Sequence, residues 1–191
     1  GITGFYSINK LNKENSLKTI DKMTNTIKHR GPDRNGVFSD YENNLYLGHT
    51  RLSILDLSSA GNQPFTSSSG NYTTVFNGEI YNHLSLRVEI NKKRNIKWKG
   101  NSDTETLIEL IDVFGIEKSL NKLIGMFSIA VWDHRNKKIC LVRDRAGEKP
   151  LYYSIFNNTL IFGSEIKSIK SHPEFNNTHN FEALCTYFKL G

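Results

Sequence analysis

The sequence predicts an α+β fold of stacked layers rather than an alternating βαβ fold. Three observations carry that reading. Helical periodicity is confined to three separate stretches, two in the first 115 residues and one at the end. Four short, nearly continuous apolar runs crowd together between residues 126 and 162. Polar turn residues join successive runs there as hairpins, which favours antiparallel pairing.

Taken in order, Glu14 to Lys28 places Leu17, Ile20, Met23 and Ile27 three to four residues apart, the period of an amphipathic helix. Gly31 and Pro32 stop it in the loop His29-Arg30-Gly31-Pro32-Asp33. Leu45 to Leu55 reads as extended, and Tyr72 to Phe76 is β-branched and aromatic. A second helix follows Ser102-Asp103-Thr104-Glu105, carrying Leu107, Ile108, Leu110, Ile111 and Phe114. Ser102 or Asp103 is its cap, Glu105 sits in its first turn, and Gly115 ends it. Met126–Trp132, Ile139–Val142, Leu151–Phe156 and Leu160–Phe162 read as strands covered on both faces. Asp133-His134-Arg135-Asn136 and Asn157-Asn158 are the turns between them, and Phe181 to Leu190 is a closing helix.

With 191 residues the chain is read as one domain, 1–191, long enough to bury a core. Its charge of +6 (25 basic against 19 acidic residues) fits a solvated surface, and Lys92-Lys93-Arg94 is too short a basic run to indicate a nucleic-acid partner. No apolar run is long enough for a membrane span, so no membrane partner is expected. The cysteines, Cys140 and Cys185, sit among apolar residues and read as small buried hydrophobes, which fits a reducing cytoplasm. The scattered histidines indicate no metal site.

Four segments are more polar than local structure requires: His29 to Asp33, His49 to Leu55, Phe76 to His83 and Gly100 to Glu105. Singly, each has a plain explanation. Asn77-Gly78 is a common turn dipeptide, Arg51 in an apolar strand can be half of an ion pair, and Asp103 can be a helix cap. Together they match the parts of an α-amino acid. An arginine fork fits a carboxylate, two acids hold an ammonium, and an Asn amide beside a Gly N–H makes a two-donor oxyanion hole.

On Gly1-Ile2-Thr3-Gly4-Phe5, His29-Arg30-Gly31-Pro32-Asp33, Asn77-Gly78-Glu79-Ile80-Tyr81-Asn82-His83 and Asp144-Arg145-Ala146-Gly147-Glu148-Lys149-Pro150-Leu151-Tyr152-Tyr153, the chain resembles the glutaminase domain of the class II glutamine amidotransferases, in particular that of glutamine-hydrolysing asparagine synthetase. The resemblance covers essentially the whole chain. It implies an N-terminal-nucleophile hydrolase fold: a four-layer α/β/β/α sandwich of two antiparallel sheets. L-glutamine is the implied substrate. Arg51 would bind its α-carboxylate, with Leu52, Ser53 and the backbone of Ile54 and Leu55 alongside. Glu79 and Asp103 would bind the ammonium. Asn77 Nδ2 and the Gly78 N–H would form the oxyanion hole, and Arg30 would support the nucleophile from behind.

The implied nucleophile is an N-terminal cysteine directly before Gly1, whose own amine serves as the base. A ribosome does not start at glycine, so this residue is expected to be unrecorded in the sequence, modified, truncated away or naturally lost. Neither Cys140 nor Cys185 can replace it, since neither has a free amine. As written, the chain is expected to bind glutamine without hydrolysing it, which leaves open a non-catalytic glutamine-binding module. No cofactor is expected here. ATP and magnesium would serve a C-terminal synthetase domain of the same protein, because this chain has no phosphate-binding glycine loop. The default acceptor of the ammonia is aspartate.

Overall fold

The computed structural model describes residues 1–52, 61–176, 178 and 181–190. Two antiparallel sheets lie face to face. The first has the order β2 (Arg34–Asp40), β3 (Leu45–Arg51), β1 (Ile2–Ser7), β9 (Thr159–Gly163) and β8 (Tyr152–Phe156). The second runs β4 (Phe65–Thr66), β5 (Tyr72–Ile80), β6 (Gly125–Asp133) and β7 (Lys138–Arg143).

Strand alternation sorts the side chains into three layers of contact. Ile2, Leu45, Leu47 and Phe162 of the first sheet meet Val75, Ala130 and Trp132 of the second, filling the space between the sheets. Phe5, Tyr46 and Ile161 point the other way, onto Ile20 and Met23 of α1 (Lys13–Thr26) and Ile169 of α5 (Ile166–Lys170). Phe76, Ile80, Phe127, Ile129 and Val131 face outward onto α2 (His83–Lys93) and α3 (Asp103–Phe114). The result is the expected four-layer α/β/β/α sandwich. A short α4 (Ile116–Leu120) and an exposed α6 (Phe181–Leu190) complete the helices among the described residues.

Asn12 caps α1 by accepting the Asn15 N–H at 3.0 Å. At α3 the cap is Ser102, whose hydroxyl accepts the Glu105 N–H at 3.2 Å, an interaction worth about 1 kcal/mol. Asp103, not needed as a cap, is left for other work.

Several elements differ from expectation. Asn77-Gly78 is not a turn; both residues lie within β5, paired with Ser128 and Phe127 of β6. The Leu45–Leu55 stretch is a strand only to Arg51 among the described residues. β8 is not covered on both faces: Tyr153 and Ile155 are 67% and 68% exposed. Cys140 is half-buried on β7, and Cys185 is exposed because α6 buries none of its residues against the described elements. β1, β2, β4, α2, α4 and α5 have no counterpart among the elements that the sequence pattern predicts.

Candidate active site

The inter-sheet face changes character along two facing strands. On β3, Leu45 and Leu47 are followed at the same alternate positions by His49 and Arg51. On β5, Val75 is followed by Asn77 and Glu79. The apolar core therefore ends where these polar side chains begin, and a cleft of about 300 Å³ opens there. Gly1, Arg30, His49, Arg51, Leu52, Asn77, Gly78, Glu79, Asp103 and Lys149 all line it.

Each wall is held by its own local device. Gly31 lets the His29–Asp33 loop press on β3: a Cβ there would lie 2.4 Å from the Thr50 carbonyl. Pro32 bridges to Arg51, and the Asp33 N–H donates to the Arg51 carbonyl at 3.2 Å. Arg30 Nη1 donates to Glu165 Oε1 at 3.0 Å, while His29 Nε2 (2.8 Å) and Lys167 Nζ (3.0 Å) share the same carboxylate. Burial alone would raise Glu165, but Lys167, Arg30 and His29 outweigh it and hold the carboxyl at about 2. Thus pinned, Arg30 lies against the chain start; a Cβ on Gly1 would sit 3.1 Å from Arg30 Cδ.

Gly1 continues the β1 ladder. Its nitrogen donates to the Thr50 carbonyl at 2.8 Å, and the Thr50 N–H donates to the Gly1 carbonyl at 2.8 Å. Burial first, and the Arg30 charge second, push the Gly1 amine down to about 5, with Lys149 adding to the effect and Glu165 opposing it. Burial also drives His49 down to about 3, helped by the charges of that amine and Arg51, so its imidazole is neutral at physiological pH.

Arg51 is buried and donates through Nη1 to Asn62 Oδ1 at 2.8 Å. The Gln63 carboxamide braces the opposite wall: Oε1 accepts the Phe76 N–H at 2.6 Å, and Nε2 donates to Thr104 Oγ1 at 3.2 Å. Asp103 Oδ2 accepts the Ile80 N–H at 3.0 Å. Burial raises the Asp103 carboxyl, against the lowering effect of that bond. Gly78 admits no side chain, since a Cβ would stand 2.1 Å from the Met126 carbonyl oxygen. Behind this wall Asn82 joins the second sheet to the loop before β6, donating to the Lys122 carbonyl at 2.9 Å and accepting from the Ile124 N–H at 3.1 Å.

Among the described residues five buried side-chain nitrogens lack a hydrogen-bond partner, and three of them, Arg30 Nε, His49 Nδ1 and Asn77 Nδ2, belong to cleft residues. An unpaired buried polar group costs about 1–3 kcal/mol, so this concentration marks the cleft as a place that expects a ligand. The described residues contain no cluster of three or more His, Cys, Asp or Glu side chains able to hold a metal ion, and no helix long and apolar enough to cross a membrane.

Arg30, Arg51, Leu52, Asn77, Gly78, Glu79 and Asp103 thus converge on one cleft; Ser53, Ile54 and Leu55 lie outside the described residues. His49 and Lys149 line the cleft as well, without a role predicted from the sequence. His49 was findable, because it precedes Arg51 by two positions on one strand and so shares its face.

The chain belongs to the class II, N-terminal-nucleophile glutamine amidotransferases: the glutamine amidotransferase domain family matches residues 1–191. It is 36% identical over its whole length to asparagine synthetase [glutamine-hydrolyzing] 3 of Bacillus subtilis, and 35% identical over 98% of its length to a putative asparagine synthetase [glutamine-hydrolyzing] 2 of Methanocaldococcus jannaschii. It spans 30% and 39% of those two relatives. Its fold resembles that of glutamine phosphoribosylpyrophosphate amidotransferase from B. subtilis, with a TM-score of 0.71 over 89% of this chain and 43% of that one, at 18% identity.

Proposed function

We propose that this chain is a glutaminase module that hydrolyses L-glutamine to glutamate and ammonia, and hands the ammonia to a synthetase domain of the same protein. The observation that carries the proposal is the meeting of Arg51, Asn77, Glu79 and Asp103 at the open end of the inter-sheet core. The relatives' names, with glutamine hydrolysis stated in them, point the same way.

In this reading the Arg51 fork takes the α-carboxylate, and Glu79 with Asp103 takes the ammonium. The substrate's side-chain amide then reaches toward Gly1, with its carbonyl oxygen on Asn77 Nδ2 and the Gly78 N–H. Asn77 Nδ2 has no other described partner, so it needs no rearrangement to donate to a developing oxyanion.

The nucleophile is the thiol of a cysteine directly before Gly1. Alternation along β1 supports this. Ile2 faces the inter-sheet core and Gly1 faces Arg30, so continued alternation would turn a preceding side chain to the inter-sheet side, where the cleft opens. The thiol proton passes to the cysteine's own α-amine, and sulfur bonds to the amide carbon. The amine returns the proton to nitrogen as the C–N bond breaks and ammonia leaves. Water then cleaves the thioester to glutamate and free thiol. An α-amine has an ordinary pKa of about 8, close enough to neutral pH for it to accept and return a proton.

The ammonia acceptor is proposed to be aspartate, activated with ATP and magnesium on the synthetase domain. Calorimetric titration of the chain with L-glutamine tests the binding half of this reading. One site per chain, and none for D-glutamine, is expected; no heat with either isomer would overturn it.

A further inference from the structure

The Asp144–Lys149 segment serves none of the roles assigned so far, yet it is tied down heavily. Asp144 is buried, with Oδ1 accepting the Glu148 N–H at 2.9 Å and Oδ2 accepting the N–H groups of Lys149 at 3.0 Å and Phe127 at 3.1 Å. Arg143 adds a second clamp, donating to the Lys149 carbonyl at 2.8 Å and the Gly147 carbonyl at 2.5 Å. The backbone of Lys149 is therefore fixed from both its N–H and its carbonyl, and its half-buried side chain lines the same cleft as Gly1.

A lysine so placed would ordinarily meet a carboxylate. Among the described residues Lys149 Nζ has no hydrogen bond and no ion pair. Of the other charges facing the cleft, Arg30 is paired through Nη1 with Glu165 at 3.0 Å while its Nε is buried without a described partner, and Arg51 is bound to Asn62 at 2.8 Å. Glu79 comes from β5 and Asp103 from the start of α3, while His49, from β3, is neutral at physiological pH.

Resting on the glutaminase reading above, we infer that Lys149 is a cation that favours the thiolate of the attacking cysteine, the thiol proton passing to that residue's own amine, and that Asp144 is the positioning residue that keeps Lys149 there. A cation beside a thiol favours the thiolate, and the thiolate is the attacking species.

The test uses the chain with a cysteine placed directly before Gly1. Iodoacetamide alkylation of that thiol is followed from pH 5 to 10 in the parent, Lys149→Met and Lys149→Arg, with glutamate release measured in parallel. Lys149→Met should move the alkylation midpoint up by about one pH unit, while Lys149→Arg keeps it near the parent value. Glutamine turnover near neutral pH should fall with that midpoint while KM changes little. The side chain of Lys149 makes no described contact that folding needs, and an unchanged thermal midpoint checks this. An unmoved alkylation midpoint in Lys149→Met, or a Lys149→Arg variant that behaves like it, would overturn the inference. A rise in KM with the midpoint unmoved would overturn it too, by making Lys149 a substrate-carboxylate contact. Alkylation reads the thiol whether or not glutamine is hydrolysed. A parent that releases no glutamate therefore overturns the hydrolysis reading alone.

Discussion

The Asp103 carboxylate accepts the Ile80 backbone N–H at 3.0 Å, and through that bond the first turn of α3 is fastened to the strand carrying Asn77, Gly78 and Glu79. The same side chain is thus both a strut and a charge facing the cleft. Burial raises its carboxyl, so it takes up a proton at a higher pH than an ordinary aspartate. If Asp103 holds the substrate ammonium, glutamine affinity should fall as pH drops through that raised pKa. Asp103→Asn should bind more weakly at pH 7, by about tenfold, and should lose this pH dependence. Titration calorimetry at several pH values between 7 and 4 checks both effects; a variant that keeps the parent's pH dependence would assign it to another group.

Arg51→Lys is expected to weaken glutamine binding about tenfold to a hundredfold. The substitution keeps the charge but loses the planar fork that matches a carboxylate, along with one charge-assisted hydrogen bond. Unchanged affinity in a binding titration would mean that Arg51 serves the scaffold through Asn62 instead.

Asn77→Ala, in a cysteine-bearing chain, is expected to lower turnover about a hundredfold or more with little change in glutamine KM. Asn77 Nδ2 is buried without a partner, so its removal breaks no described hydrogen bond of the fold. Equal losses in binding and turnover, or a lowered thermal midpoint, would make it a structural residue.

Gly78→Ala should destabilise the fold by about 1–3 kcal/mol in urea unfolding. The added methyl would meet the Met126 carbonyl at 2.1 Å, and backbone on a paired central strand cannot move aside cheaply. A neutral result would show that β5 and β6 can separate locally.

Asp144→Asn tests the loop behind Lys149. Burial by itself would raise the Asp144 carboxyl, yet the backbone N–H groups of Lys149, Glu148, Phe127 and Gly147 hold it down at about 2. A depressed carboxyl stabilises the folded state above the ordinary carboxylate pKa, and that contribution disappears as pH falls through about 2. The variant should therefore be less stable than the parent by about 1–3 kcal/mol at pH 7. The gap should narrow between about pH 4 and pH 2, as followed by urea unfolding at each pH.

What could be read from the sequence depended on how cleanly each element showed its period. α1 and α3 were legible because Leu17, Ile20 and Met23, and later Leu107, Leu110 and Ile111, repeat at helical spacing behind a capping residue. α2 was not, because Leu84, Leu86, Val88 and Ile90 alternate like a strand; only Leu86 and Ile90, one turn apart, are buried, while Leu84 and Val88 face solvent. β1 was hidden by Thr3, Gly4 and Ser7, polar or small residues that the sandwich buries through long-range pairing. β2 is a partly exposed edge strand whose apolar residues, Val37 and Phe38, are adjacent and so set no alternation. At the cleft, Arg51, Glu79 and Asp103 stood out because charge in apolar surroundings demands a reason. Lys149 did not, because its significance rests on backbone clamps and on the lack of a described acidic partner, and neither is written in one dimension.

The most direct test of the central claim is glutamate release from L-glutamine by this chain carrying a cysteine directly before Gly1. The account predicts release well above the uncatalysed rate, abolished when that cysteine is replaced by alanine. Glutamine bound in the cleft with no release, even when the cysteine is present and alkylatable, would contradict it and leave a binding module in place of an enzyme.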